Sequence, residues 1–314
     1  MNNHKKIPLI AIVGPTASGK TALSVALAKE LGGEVVSADS MQIYKGMPIA
    51  AAVPTAEERE GVPHHLMEFL PLGSEFSVAD YVNLAKDAIN DIHSRGNQPI
   101  LVGGTGLYVN SLVDNIAFTE EKKDEELRAR LEEKFDFLGG EEMLRELAEF
   151  DPESAARLHA NNRRRIIRAF EVYLQTGETV TEQNARSKTE PSPYNTLLIG
   201  ITYRDREKLY DRINRRVDLM LEQGLLEEAR GNYGAERKGA GQAIGHKEFF
   251  PFFSGECGLT DAIETLKRET RRYAKRQLTW FGRDERINWI YADECDSVLD
   301  EAIKIIKEGQ IHEG

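Results

Sequence analysis

The sequence predicts an α/β fold, a parallel sheet with crossover helices interrupted by an all-helical insertion. Three observations carry that prediction. Short apolar runs rich in β-branched residues alternate with helical patterns through the first hundred residues. A glycine-rich turn joins the first run to the first helix. Strand signals then vanish between about 115 and 194, until the apolar run NTLLIGIT at 195–202 restores them.

In chain order, residues 9–13 (LIAIV) form the first strand, and 22–31 repeat apolar residues at helical spacing before stopping at Gly32-Gly33, a natural C-cap. Residues 34–37 (EVVS) read as a second strand that delivers Asp39 to its carboxyl end. Residues 78–92 are amphipathic, and 99–102 (PILV) are a third strand running into Gly103-Gly104-Thr105-Gly106 and another apolar helix. Residues 1–114 and 195–314 are therefore assigned to the core and 115–194 to the insertion. Trp289-Ile290-Tyr291 is a possible late strand.

Composition narrows the class. The 314 residues carry 41 Lys plus Arg against 52 Asp plus Glu, a formal net charge of −11, with 40% hydrophobic and 30% charged residues. Disordered, collagenous and polytopic membrane chains are excluded by that balance. Two cysteines, Cys257 and Cys295, give no disulfide framework and no metal-ligand spacing, which suits a reducing, cytoplasmic compartment. His64-His65 is the one adjacent histidine pair. No further ligand stands at metal spacing, so a loop contact is expected there rather than a metal.

Gly14-Pro15-Thr16-Ala17-Ser18-Gly19-Lys20-Thr21 fits G-x-x-x-x-G-K-[ST] between a strand and a helix, which makes the core P-loop NTPase-like. Glycines let successive N–H groups turn toward phosphate oxygens at a helix N-terminus. Lys20 is placed to reach a terminal phosphate and the Thr21 hydroxyl to ligate Mg²⁺. The third strand ends in Gly103-Gly104-Thr105 and not in a magnesium-holding carboxylate, so a diphosphate is expected but triphosphate hydrolysis is not implied. Asp39, beside the loop in a parallel sheet, can take a proton from an attacking hydroxyl or amine; its bland alternative is an N-cap. At Gly103 to Gly106 a ligand is expected to approach the backbone, with the Thr105 hydroxyl available. The loop from Gly241 to Lys247 reads equally as a ligand-approach site or a plain turn.

The acidic total conceals three basic islands. Arg163-Arg164-Arg165 with Arg168 is one; residues 204–216 hold 6 basic and 3 acidic residues; residues 267–286 hold 8 and 3, with Arg272 and Arg276 a helical turn apart and Tyr273, Trp280 and Phe281 interleaved. Each alone reads as a solvated helix face. The three together suit a phosphate backbone, with aromatic residues available to stack on unpaired bases. Acids are concentrated instead at 119–160, with 14 acidic against 7 basic residues.

These stretches together resemble the tRNA dimethylallyltransferases, also called tRNA isopentenyltransferases. The resemblance runs nearly end to end: GPTASGKT at 14–21, DSMQIYKGM at 39–47, VPHHL at 62–66, GGTGLY at 103–108, RRRIIRAFEVY at 163–173, DRINRRVDLM at 211–220, AIGHKE at 243–248 and KRQLTWF at 275–281. It implies a P-loop domain with an inserted helical tRNA-binding domain. It also implies transfer of a dimethylallyl group from dimethylallyl diphosphate to N6 of the adenosine just 3′ of a tRNA anticodon; a monomer is expected. Matched by motif, Asp39 is the general base, Thr16 to Thr21 hold the diphosphate with Mg²⁺, and Arg216 binds the same group. Asp39, Ser40, Met41, Gln42, Thr105, Arg128, Arg164, Arg165, Ile166, Ile167, Arg168, Gln242, Ala243, Ile244, Gly245, His246 and Lys247 match positions that contact the anticodon stem-loop. Residues 242–247 depart from the Cys-containing, Tyr-Arg-ending form of many members. Two other classes stay open on the residues alone: an ATP-dependent small-molecule kinase using Asp39 as base, and a non-catalytic RNA-binding module with a regulatory P-loop. No membrane span and no membrane partner is expected.

Overall fold

The computed structural model describes residues 6–118, 124–187, 190–234 and 240–311. The chain divides into two units, one of residues 1–113 and 193–314 and the other of residues 114–192. In the first unit six strands form one sheet in the order β3-β2-β4-β1-β5-β6. They are β1 Ile7–Val13, β2 Gly33–Ser37, β3 His64–His65, β4 Gln98–Gly103, β5 Tyr194–Thr202 and β6 Asn288–Tyr291. Every pairing is parallel. All the strand ends that bear chemistry therefore face one way, as open α/β sheets require of a ligand site.

The central strand β1 is apolar on both faces because helices cover both. On one face Leu9, Ala11 and Val13 pack with Tyr81, Ile89 and Leu112; on the other Ile10 and Ile12 pack with Leu23, Leu27 and Ile306. A continuous apolar run in place of alternation is what a doubly covered parallel strand needs. The histidine pair forms the short edge strand β3, not a loop. His65 Nε2 lies 2.7 Å from Glu34 Oε2, and His64 Nδ1 lies 2.8 Å from the Val62 carbonyl. Glu34, which also takes Arg95, has its pKa lowered to about 2 chiefly by that guanidinium, so His65 belongs to a structural ion cluster, whereas His64 lines the cavity at the strand ends.

The second unit holds five helices among its described residues: Glu125–Leu138, Gly140–Phe150, Pro152–Arg157, Arg163–Thr176 and Val180–Arg186. Their shared core includes Leu127, Leu131, Met143, Leu147, Ile166 and Ile167. Asp151 caps one helix by accepting from the Ser154 N–H at 3.0 Å and also accepts from the Thr181 hydroxyl at 2.6 Å. Acidic residues of this unit form ion pairs such as Arg128–Glu132, Arg163–Asp136 and Arg186–Glu178. Residues 119–123 of the acidic stretch lie outside the described residues.

Candidate active site

The loop after β1 turns through Gly14, whose φ of 142° is open only to glycine, and whose absent Cβ would sit 2.3 Å from the Ile201 carbonyl oxygen. Ala17 takes a φ of 62° and Gly19 one of 104° before the helix Lys20–Leu31 begins. No side chain caps that helix, so its first N–H groups remain available at the positive end of the helix dipole. Lys20 curls back and donates to the Gly14 and Pro15 carbonyls at 3.0 and 2.6 Å. Burial, helped by the nearby Arg216 charge and opposed by Asp39, lowers its pKa to about 7. The Ser18 hydroxyl is buried with no hydrogen-bond partner.

A cavity of about 1270 Å³ collects these groups at the strand ends. Residues 16–22, Asp39, Gln42, Gly103, Gly104 and Arg216 all line it. Asp39 stands just past β2, with Oδ1 accepting the Met41 N–H at 2.9 Å. Burial raises its pKa above the ordinary aspartate value, against the pull of the Met41 and Gln42 N–H groups, Lys20 and Arg216. The N-cap alternative is thus half right, since the carboxylate does organise its own turn. Thr105 ties that turn down, its Oγ1 accepting the Ser40 N–H at 3.0 Å and donating to the Ser40 hydroxyl at 3.2 Å. Gln42 accepts from Ser37 at 2.8 Å and donates to the Ala52 carbonyl at 3.0 Å. Met41 is half-buried against Ile43, Tyr44 and Met47.

Three contributors went unassigned in the sequence. Arg212, one turn before Arg216 on the helix Arg206–Glu222, donates from Nε to the Ala17 carbonyl at 3.0 Å. Gln277, on the helix Leu259–Phe281, accepts the Thr16 N–H at 2.8 Å and donates to the Gly104 carbonyl at 3.0 Å, stitching the phosphate loop to β4. Tyr273, a turn earlier, borders the cavity and bonds Thr105; burial and the Asp39 charge push its phenol up. Gln277→Leu keeps the volume and removes both bonds. It is expected to lower stability by about 1–3 kcal/mol, read from urea unfolding, because a partly buried N–H is left unpaired. An unchanged midpoint would show that the stitch carries no load.

Several expectations are corrected here. At Gly103 to Gly106 protein also approaches closely, while Gly103 and Gly104 line the cavity: a Cβ on Gly103 would meet the Ala38 carbonyl oxygen at 2.1 Å, on Gly104 the Gln277 amide at 2.1 Å, and on Gly106 the Trp280 ring at 2.2 Å. Ile166 and Ile167 are 0% and 1% exposed in the core of the helical unit, so their side chains are not available to a macromolecule. Ala243, Gly245 and His246 are buried as well, Ile244 is half-buried, and Lys247 is exposed. Gln242 is described by its backbone alone, in the 3-10 turn Ala240–Gln242.

The islands sort by pairing. Arg163 is bound to Asp136 and to the Glu132 carbonyl. Arg128 pairs with Glu132 and Glu171, Arg168 with Glu171, and Arg272 with Glu269. Arg276 lies over the Tyr273 ring at 5.6 Å. Arg164 and Arg165 are exposed and have no ion pair among the described residues. No helix among the described residues is long and apolar enough to cross a membrane.

A phosphate-binding loop on a parallel sheet, facing a buried carboxylate and an arginine, defines a P-loop protein arranged for group transfer from a phosphorylated donor. A family model described as IPP transferase matches residues 42–284, and the chain belongs to that family. It is 50% identical over 293 residues to the tRNA dimethylallyltransferase of Halalkalibacterium halodurans, covering 93% of each chain. A crystal structure of the full-length tRNA isopentenylpyrophosphate transferase of Bacillus halodurans superposes with a TM-score of 0.70 at 46% identity, covering 98% of this chain and 96% of that one. A eukaryotic dimethylallyltransferase acting on tRNA gives a TM-score of 0.82 at 32% identity, covering 98% and 80%.

Proposed function

We propose that the protein transfers the dimethylallyl group of dimethylallyl diphosphate to N6 of the adenosine 3′ of the anticodon in tRNA, releasing diphosphate. The observation that supports this most is the meeting of Asp39, Lys20 and Arg216 with the phosphate loop in one cavity. A phosphoryl-transfer kinase would use the same loop, but it leaves the exposed Arg164 and Arg165 unemployed.

The diphosphate sits on the loop N–H groups, with Lys20 turning from the Gly14 and Pro15 carbonyls to meet it. An adenine amine is a weak nucleophile because its lone pair is delocalised into the ring. As the N–C bond forms and the allylic C–O bond breaks, Asp39 takes the N6 proton. Negative charge grows on the departing diphosphate, where Lys20, Arg216 and the helix N-terminus are already arranged to stabilise it. The adenosine is extruded from the loop stack to reach Asp39, at a few kcal/mol of unstacking.

Mg²⁺ fits the residues present: the Thr21 hydroxyl borders the cavity, and the buried, unpartnered Ser18 hydroxyl shows spare polar capacity in the loop. No group of three His, Cys, Asp or Glu that could hold a metal occurs among the described residues, so Thr21 would share the ion with diphosphate oxygens. When bound, the ion adds positive charge at the leaving group.

The deciding experiment gives the protein unmodified tRNA and labelled dimethylallyl diphosphate, with ATP as control donor. Label is expected in tRNA; phosphate transfer from ATP would overturn the reading. The helical unit is the proposed docking surface for the anticodon stem through Arg164 and Arg165. Replacing both by Ala is expected to weaken tRNA binding and to reduce the salt slope by about 1–2. An unchanged slope would return these arginines to a solvated face.

A further inference from the structure

The cavity wall between residues 46 and 53 is a coil folded on itself. Its internal bonds run from the Ala51, Ala52 and Val53 N–H groups to the Met47, Ile49 and Pro48 carbonyls. Pro48, Ile49, Ala51, Ala52 and Val53 all line the cavity, as do Leu219 and Met220, and Ile49 shares a hydrophobic cluster with Met220. This is an apolar surface beside a cationic phosphate loop, the chemistry of an allylic diphosphate.

That coil is also held from outside. The Ile49 and Ala50 N–H groups donate to the Glu228 carboxylate at 2.8 and 3.0 Å, and His246 Nε2 lies 2.8 Å from the same carboxylate. His246 is 2% exposed and the Glu228 side chain 10%. Both sit on elements outside the wall, Glu228 on the helix Leu225–Gly231. Asn232 adds a bond to the Gly46 carbonyl at 2.7 Å. At its other end the wall is tied by Gln42, which reaches the Ala52 carbonyl from the turn bearing Asp39.

We propose that Glu228, held by His246, is a positioning residue that fixes the 48–53 wall against the hydrocarbon chain of the donor. The proposal rests on the donor assignment above. A carboxylate that accepts two neighbouring backbone N–H groups and lies against an imidazole sets the orientation of this coil as a body, and losing it leaves those backbone donors unpaired. The phosphate loop is held by Gln277 and Arg212 instead, so the diphosphate subsite does not depend on Glu228.

The test measures initial rates for Glu228→Ala and Glu228→Gln with dimethylallyl diphosphate and tRNA, together with inhibition by inorganic diphosphate, which lacks the chain. Glu228→Ala is expected to raise the donor KM by about tenfold or more, with kcat within about threefold and the diphosphate inhibition constant and tRNA affinity unchanged. Glu228→Gln, which keeps an acceptor oxygen, is expected to fall between. A diphosphate constant that rises in step with KM, a Gln variant as impaired as the Ala variant, or unfolding of both would overturn the proposal. If wild type itself transfers no label, the donor reading falls and this inference with it; if wild type is active and both variants match it, only the role of Glu228 falls.

Discussion

Asp39→Asn is expected to bind tRNA with wild-type affinity, to be at least as stable as wild type at neutral pH, and to lose about 10²- to 10⁴-fold in kcat. The loss follows from removing the base while keeping its shape. Asn Oδ1 can still accept the Met41 N–H that Asp39 holds at 2.9 Å, so the turn at residues 39–42 has no reason to move. The stability expectation comes from linkage. The folded carboxyl has a pKa raised above the ordinary value of 3.8, chiefly by burial. Between those two values the folded chain still binds a proton that the unfolded chain has released, so stability falls as pH rises through that window. At neutral pH the ionised Asp39 is therefore a net burden on the fold, which Asn removes. Below pH 4 both states carry the proton and the advantage of the variant disappears. The same shift sets the acid limb of kcat/KM, since activity needs the ionised form and declines as pH falls through the raised value. Chemical denaturation at pH 7 and pH 4, set beside single-turnover rates, checks both sides. A stable variant turning over at wild-type speed would remove the base assignment.

Much of this fold was readable because the phosphate-loop motif anchors it: G-x-x-x-x-G-K-T demands a strand before it and a helix after it, and β2, β4 and β5 follow by apolar pattern. The order of strands was not readable. Nothing local to 98–103 states that β4 lies between β2 and β1, because parallel pairing is decided by crossover packing across distant segments. β3 escaped notice for another reason: two residues are too short for any periodicity, and its histidines read as chemistry before they read as backbone. In the cavity, Lys20 and Asp39 were legible from residue type at a helix start and a strand end, whereas Arg216, inside the helix Arg206–Glu222, was assigned only through the family resemblance. Gln277 was not, since one amide in a charged helix looks like a solvated residue until the Thr16 N–H and Gly104 carbonyl are found on either side of it. His246 shows the converse case. Spacing left its loop even between a ligand-approach site and a plain turn, while its partner Glu228, 18 residues away, makes its side chain interior. The basic islands needed neighbours too: Arg163 and Arg164 are adjacent in sequence, yet Asp136 neutralises only the first.

Lys20→Met carries the second large effect: a loss of about 10²- to 10³-fold in kcat, and loss of the proton taken up when the donor binds. The ammonium in the free protein is disfavoured, with a pKa near 7 against an ordinary 10.5, because burial and the Arg216 charge outweigh the attraction of Asp39. At pH 8 only about one Lys20 in ten would then carry its proton. A diphosphate placed on the loop reverses that balance, since its charge far exceeds the Arg216 repulsion and sits where the Lys20 amine can leave the Gly14 and Pro15 carbonyls for it. Donor binding at pH 8 should therefore draw close to one proton from solvent, and at pH 6, where Lys20 is already charged, almost none. Calorimetry of donor binding in two buffers of different ionisation heat measures that uptake directly. The wild-type value minus the Lys20→Met value isolates Lys20 from protons gained or lost by the diphosphate itself. A difference near zero at pH 8 would mean that Lys20 is charged before the donor arrives, and the loop would then be a preformed cationic site. A difference near one means that the donor creates the cation it needs, so the charge opposing the leaving group is in place only when there is a leaving group to receive it.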